Sequence, residues 1–234
     1  MKGFILAAGE GTRLYPLTLE IPKPLLPVGK TPIITYLVDL YLEYGVDDIK
    51  INIQKKHLED FYKWKATYFP REKIDFLIEK KPSGTFAPLL KIDERWFTET
   101  IVVSNGDELK ELDLKKMVDW HLKKKALVTI GLVRVDDPQS YGVVIMKGDR
   151  ITEFIQKPKN PPSSFINSGL YIMNPEVKNY YPPKAKFSML EVDLLPKLAT
   201  ERKLFGYKYE GRWQDVGTFE RWEEAIKKWN DKKR

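Results

Sequence analysis

Cysteine is absent from the 234-residue chain, and histidine occurs only as His57 and His121. The first absence excludes disulfides and thiolate metal sites. The second leaves no material for a multi-histidine metal centre. Long hydrophobic runs are missing too, since charge interrupts every apolar stretch well short of a membrane span. Met1-Lys2-Gly3 opens directly into an apolar run. No signal peptide or transmembrane helix is therefore expected, and the expected location is cytoplasmic, with no membrane partner. There is no internal repeat and no long low-complexity linker.

A hydrophobic fraction of 42% supports a sizeable core, and the length fits one α/β domain or a domain with a small appendage. The net charge of +7 fits an anionic partner without naming it. Part of the excess lies in Lys227-Lys228 and Lys232-Lys233-Arg234, which reads as the surface of a last helix and a frayed tail. No nucleic-acid motif or basic–aromatic repeat accompanies it, so no nucleic-acid partner is expected.

The N-terminus carries the chemistry. An apolar run over residues 4–8 reads as a strand that enters a turn containing Gly9, Gly11, Thr12 and Arg13. Glycines let backbone N–H groups approach phosphate oxygens. Arg13 adds a planar fork, and Lys23 adds a compact cation a short loop later. The stretch describes a polyphosphate site, yet Leu14 stands where a dinucleotide fingerprint needs glycine, and no Gly-Lys-Ser/Thr follows.

Leu6-Ala7-Ala8-Gly9-Glu10-Gly11-Thr12-Arg13-Leu14-Tyr15-Pro16-Leu17-Thr18, followed by Lys23-Pro24-Leu25-Leu26-Pro27-Val28, resembles the signature of the sugar-1-phosphate nucleotidyltransferases. The resemblance extends over essentially the whole chain, as a minimal catalytic domain without the C-terminal left-handed β-helix that several relatives carry. It implies that a sugar-1-phosphate oxygen attacks the α-phosphorus of a nucleoside triphosphate, releasing pyrophosphate, with magnesium as cofactor. A phosphate monoester is already a nucleophile, so the lack of a nucleophile–base pair in the chain is consistent with this reaction.

Helical and extended patterns alternate through the first half. Thr31 and Pro32 read as the cap and first residue of a helix that Gly45 closes. Residues 49–53, 74–78 and 100–104 read as strands, with a helix over 57–68 and another expected after Ser83-Gly84-Thr85. Alternation of this kind predicts an α/β fold, doubly wound and Rossmann-like, with a mostly parallel central sheet. Residues 128–133, 143–146, 151–155 and 165–173 predict a mixed or antiparallel extension of the sheet, small and serving the sugar. Residues 187–198 and 218–229 read as helices. A single domain is expected, with a nucleotide half over about 1–125 and a sugar-phosphate half over about 126–234.

The resemblance implies that Arg13 and Lys23 hold the triphosphate, and that Asp107 and Asp215 are the magnesium carboxylates. Two carboxylates suit a cation that takes its other ligands from phosphates and water. Thr218 is the better helix cap, which leaves Asp215 available. Leu6, Ala8, Gly9, Gly11 and Thr12 belong to the nucleotide loop. Tyr141, Gly142, Lys157 and Asn167 match the sugar-phosphate segments. Gln156 departs from the family's usual Glu, exchanging a charge for two donors.

Glu79, Gly84 and Thr85 fall in the segment resembling the base-reading loop. Relatives that use UTP or dTTP often carry Gln at the position of Glu79. A carboxylate only accepts, which suits the adjacent N1–H and N2–H₂ donors of guanine and repels pyrimidine carbonyls. The expectation is therefore GTP with mannose- or heptose-1-phosphate. Ala8, which resembles uridylyl members, keeps a UTP- or dTTP-dependent glucose-1-phosphate enzyme open, and Glu79 pointing to solvent is the alternative at that position. A catalytically silent nucleotide-sugar-binding regulator is the remote alternative, and a homo-oligomer is compatible with all of these.

Overall fold

The computed structural model describes residues 1–181 and 185–229, so the tail Lys232-Lys233-Arg234 lies outside the described residues. In chain order the principal elements begin with β1 (Lys2–Leu6), α1 (Ile33–Glu43), β2 (Asp48–Gln54), α2 (Leu58–Tyr68) and β3 (Lys73–Glu79). Then come β4 (Ile101–Asn105), β5 (Glu108–Lys110), α3 (Leu114–Lys124), β6 (Val128–Arg134), β7 (Gly142–Lys147) and β8 (Arg150–Gln156). The chain continues through β9 (Phe165–Met173), α4 (Leu195–Thr200), β10 (Leu204–Lys208), β11 (Trp213–Asp215) and α5 (Phe219–Lys228). No helix among the described residues is long and apolar enough to cross a membrane.

Two compact units are present, one comprising 1–82, 105–112 and 211–234, the other 83–104 and 113–210. A single cut near residue 125 does not follow this division. The reason is β11, which pairs antiparallel with β5 and sets Asp215 opposite Glu108.

In the first unit, β1, β2 and β3 are parallel in the order β3-β2-β1. The register pairs Leu6 with Asn52 and Gln54 with Glu79, so these residues share the carboxyl edge where ligands of such sheets gather. Ile49, Ile51 and Ile53 are fully buried in the central strand β2. Leu14, Leu26, Leu109, Val216 and Ala225 belong to one core cluster, which ties the loop after β1 to β5 and α5.

Helix α1 begins later than expected. Thr31–Pro32 forms a two-residue antiparallel ladder with Pro27–Val28, and Pro32 is extended with no side-chain cap. Thr31, preceding a proline, is held out of the helical region. Gly45 (φ +74°) does close the helix, with the Val46 N–H donating to the Tyr41 carbonyl at 2.8 Å.

The second unit corrects the expectation of a mostly parallel sheet with a small antiparallel extension. Its strands run β4-β9-β6-β10-β8-β7, and only β6–β10 pairs parallel. The sheet is mixed because the connections are short. Strands β7 and β8 are joined through Gly148 (φ +60°), with Lys147 opposite Arg150. A connection of that length permits only an antiparallel neighbour.

Helix α3 was not anticipated from the sequence, although its signals are ordinary. Asp113 caps it by accepting the Lys116 N–H at 3.0 Å, and Leu114, Met117, Val118 and His121 form its buried stripe. The expected helix over 187–198 is instead a π-helical turn over Leu190–Leu194 followed by α4. Pro196 has no N–H for a regular ladder, and the Asp193 carboxylate binds the Ser188 hydroxyl and the Met189 N–H.

Where α1 ends on glycine, two helices of this unit end on cations in the same left-handed backbone. Lys125 (φ +50°) follows α3 and Arg202 (φ +58°) follows α4. Each costs about 1–2 kcal/mol relative to a right-handed residue.

His121 is fully buried, with Nδ1 2.8 Å from Thr129 Oγ1 and Nε2 3.3 Å from Asn174 Oδ1. Burial pushes its pKa below the usual 6.5, against the hydrogen bond to Asn174. The folded state therefore keeps this ring neutral while the unfolded chain takes up the proton. Its contribution is present above the unfolded value and is lost as pH falls below it. Urea midpoints should drop between pH 7.5 and pH 5.5, and drop less in His121→Gln. An equal drop in both proteins would contradict this assignment.

Candidate active site

The loop after β1 is held open by its own backbone. Gly11 (φ +65°) has Thr18 Cγ2 and Lys23 Cβ 3.0 and 3.3 Å from where a β-carbon would lie, and the Thr18 hydroxyl donates to its carbonyl at 2.9 Å. Gly9 differs: a β-carbon there would meet nothing within 4 Å. Its exposed backbone borders open space. Thr12 and Arg13 follow in a short 3₁₀ turn, both exposed.

Asn52 and Gln54, on the polar face of the alternating strand β2, organise the floor of this loop. Asn52 Oδ1 accepts the Ala7 N–H at 3.0 Å, and Gln54 Nε2 donates to the carbonyl of Ala8 at 2.9 Å. Asn52 Nδ2 donates to Glu79 Oε2 at 2.9 Å. Glu79 is only 3% exposed, so the alternative of a solvent-facing carboxylate is excluded.

Four sequence-predicted residues converge in the same unit. The Lys23 ammonium is ion-paired with the Asp107 carboxylate. Lys23 itself is buried, and about a third of the Asp107 side chain is accessible. The surrounding protein pushes the Asp107 carboxyl up, but the charge and hydrogen bond of Lys23, with help from Lys110, hold it below the usual carboxylate range. Asp215 is brought alongside by the β5–β11 pair, where the Val216 N–H donates to the Asp107 carbonyl at 3.4 Å. Gly217 leaves the space between the groups clear, because a β-carbon there would lie 2.5 Å from Asp215 Oδ2 and 3.0 Å from Arg13 Nη2.

Sequence reasoning missed the residues that support this arrangement. Arg221 of α5 donates to Asp215 Oδ2 at 3.1 Å, while Thr218 caps the helix as expected. Beneath the Asp107 turn, Glu108 accepts from Asn105, Lys110 and Trp213 at 2.9, 2.9 and 3.0 Å. Burial pushes the Glu108 carboxyl up, and the Asp107 charge adds to that, against the pull of Lys110. Among the described residues no cluster of three or more acidic or histidine side chains forms a metal cage.

The remaining predicted residues lie in the second unit. Gly84 (φ +96°) packs so closely on Ser188 that a β-carbon would fall 2.1 Å from its carbonyl oxygen. The Thr85 hydroxyl donates to Glu191 Oε2 at 2.7 Å and accepts the Leu190 N–H at 2.8 Å. Tyr171 OH lies 3.4 Å from Glu191 Oε1 and accepts from Asn167 Nδ2 at 2.7 Å. Thr85 and Asn167 are thus joined through Glu191 and Tyr171, neither of which the sequence singled out. The stretch 189–195 holds two carboxylates, Glu191 and Asp193, among apolar residues, and nothing in the sequence separates their roles.

Gly142 stands opposite Gln156, and a β-carbon on it would lie 2.5 Å from Phe154 Cζ and 3.0 Å from Gln156 Oε1. The Tyr141 carbonyl accepts the Lys157 N–H at 2.9 Å. Lys157 is exposed and adopts φ +48° away from any helix end. A non-glycine residue held there is a marker of function when the structure over-determines it.

A family model described as Nucleotidyl transferase matches residues 2–232. Mannose-1-phosphate guanyltransferase of Saccharomyces cerevisiae is 36% identical over 229 residues, covering 93% of this chain but 61% of its own length. The chain thus spans about three-fifths of that curated relative. A Bacillus anthracis structure with bound sucrose, provisionally described as a glucose-1-phosphate thymidylyltransferase, superposes with a TM-score of 0.87 at 30% identity, covering 100% of this chain and 98% of that one. HddC from Yersinia pseudotuberculosis complexed with GMP-PN gives a TM-score of 0.82 at 27% identity, covering 98% and 99% of the two chains. With a family match over nearly its entire length, the chain belongs to the nucleotidyl transferase family.

Proposed function

We propose that the protein transfers a guanylyl group from GTP to mannose-1-phosphate, giving a nucleoside-diphosphate sugar and pyrophosphate. A phosphate oxygen of the sugar-1-phosphate forms a bond to the α-phosphorus, and the bond from that phosphorus to the bridging oxygen of the β-phosphate breaks. No proton has to move, so positioning and charge neutralisation dominate. The open backbone at Gly9 and Gly11 receives phosphate oxygens, with Leu6, Ala8 and Thr12 shaping the loop. Arg13 and Lys23 offset the charge that gathers on the leaving pyrophosphate. In the second unit, Lys157 binds the sugar's phosphate, while Tyr141, Gly142, Gln156 and Asn167 bind the sugar.

Asp107 and Asp215 offer hard oxygens, and the space that a β-carbon at Gly217 would fill lies between Asp215 and Arg13. That donor set fits a magnesium ion whose remaining ligands are phosphates and water. When bound, the metal supplies positive charge to the phosphate oxygens. The Lys23–Asp107 and Arg221–Asp215 pairs hold both carboxylates in place.

The observation that carries the guanylyl assignment is the buried Glu79 carboxylate, oriented by Asn52 at the strand edge beside the phosphate loop. An acceptor-only edge matches the two adjacent donors of guanine. The guanyltransferase relative and the GMP-PN complex of HddC support the same choice. Ala8 and the thymidylyltransferase description of the Bacillus structure favour UTP or dTTP with glucose-1-phosphate as the second reading.

Glu79→Gln separates the two. It should lower GTP use and improve UTP or dTTP use, since one mismatched buried polar contact costs about 1–3 kcal/mol, or roughly one to two powers of ten in specificity. The check is the ratio of kcat/KM for GTP and UTP in both proteins at saturating sugar phosphate. An unchanged ratio would remove Glu79 from the base pocket.

A further inference from the structure

Outside the residues assigned so far, the second unit contains a basic cavity of about 690 Å³. Lys124, Lys125, Arg150, Lys197, Arg202 and Lys203 line it, against the carboxylates Glu176 and Glu201. Lys124 pairs with Asp149 at 2.6 Å, and Lys203 with Glu201 at 2.9 Å and the Tyr180 hydroxyl at 2.6 Å. Lys125, Arg150, Lys197 and Arg202 form no ion pair among the described residues. The Arg150 guanidinium and the Lys197 ammonium lie over the rings of Phe205 and Tyr180, 5.4 and 5.1 Å from the ring centres, so aromatic faces hold both cations at the cavity.

Two of these cations occupy unfavourable backbone. Lys125 and Arg202 hold positive φ at the ends of α3 and α4, where glycine or asparagine fits at lower cost and where α1 does use glycine. Complementing the helix dipole does not account for them. Lys123 and Lys124 already supply that charge in the last turn of α3, as Lys197 does in α4. The only other non-glycine residue with positive φ among the described residues is also a cation, Lys157.

We propose that this cavity is a second anion site, separate from the residues assigned to the reaction, and that it takes a compact, phosphate-rich small molecule. Concavity and an excess of positive charge from several elements favour a compact polyanion over an extended chain. Lysine and arginine are the side chains suited to phosphate oxygens, and the four without carboxylate partners have donors to give.

The test is a titration of the full chain with inorganic tripolyphosphate, followed through the amide resonance of Leu127 and the indole N–H of Trp120. Leu127 lines the cavity, and Lys124 lies 5.5 Å from the Trp120 ring centre. Saturable shifts are expected in the wild type. Lys125→Asn/Arg202→Asn should weaken them at least tenfold while leaving turnover unchanged and the melting temperature no lower than that of the wild type, because asparagine fits the same backbone at lower cost. A control, Lys63→Gln/Lys227→Gln, removes equal charge from exposed helix surfaces and should bind as the wild type does. A parallel titration with a nucleoside triphosphate tells whether the phosphates alone or a nucleotide is the better ligand. Non-saturating shifts, undiminished affinity in the double variant, or an equal loss in the control would overturn the proposal.

Discussion

Asp107→Asn is expected to reduce turnover by about a thousandfold, and Asp215→Asn by a similar factor. Each change removes a negative oxygen from the place proposed for the triphosphate and magnesium. For Asp107 a second loss follows, because the largely buried Lys23 ammonium gives up its ionic partner. A third of the Asp107 side chain remains accessible, so the stability cost stays near ~1–2 kcal/mol rather than the value for a fully buried pair. Removing the Asp107 charge also relieves Glu108, whose carboxyl that charge pushes up. Both variants should therefore melt cooperatively near the wild type yet require more magnesium for half-maximal turnover. Pyrophosphate release within tenfold of wild type, at an unchanged magnesium requirement in both, would sink the metal assignment.

Arg13→Ala should lower kcat by roughly a hundredfold to a thousandfold, as expected for one preorganised charge-stabilising donor. Its guanidinium flanks Gly217 beside Asp215 and is exposed, so it is free to meet a departing pyrophosphate. The sugar-phosphate KM should hardly move. Lys157→Ala should do the opposite, raising that KM with a smaller effect on kcat. Arg13→Lys keeps the charge but loses the planar fork, and only partial recovery is expected. Saturation kinetics showing the reverse pattern would mean that the two phosphate sites have been exchanged.

The parts of the fold that rest on local pattern were legible. The apolar runs at 49–53, 74–78, 128–133 and 165–173 became β2, β3, β6 and β9 with ends shifted by a residue or two at most. The Thr218 cap and the Gly45 stop were also readable, because each acts within a few residues of itself. What failed was partly local, as with the Asp113 cap and buried stripe of α3, and partly a matter of pairing. Thr31-Pro32 reads as a helix start until Pro27-Val28 pairs with it. The antiparallel character of the second unit follows from pairing across the sheet, as between β9 and both β4 and β6.

The same division holds at the site. Arg13, Lys23, Asp107 and Asp215 could be named from motifs, and the structure brings them together across sequence separations of 84 residues for Lys23–Asp107 alone. Their supports could not be named. Asn52 and Gln54 look like the solvent face of an alternating strand until burial brings their amides to Ala7, Ala8 and Glu79. Glu108, Lys110 and Trp213 depend on β11 returning to β5 from more than a hundred residues away.

Guanylyl transfer is tested most directly by pyrophosphate release from the purified chain with magnesium, using GTP, UTP, dTTP, ATP and CTP, each against mannose-, heptose- and glucose-1-phosphate. GTP with mannose-1-phosphate should give the highest kcat/KM, and omission of the sugar phosphate should abolish release. A preference for UTP or dTTP with glucose-1-phosphate would contradict the role given to Glu79 while leaving nucleotidyl transfer intact. No sugar-phosphate-dependent release with any pair would contradict the catalytic reading itself.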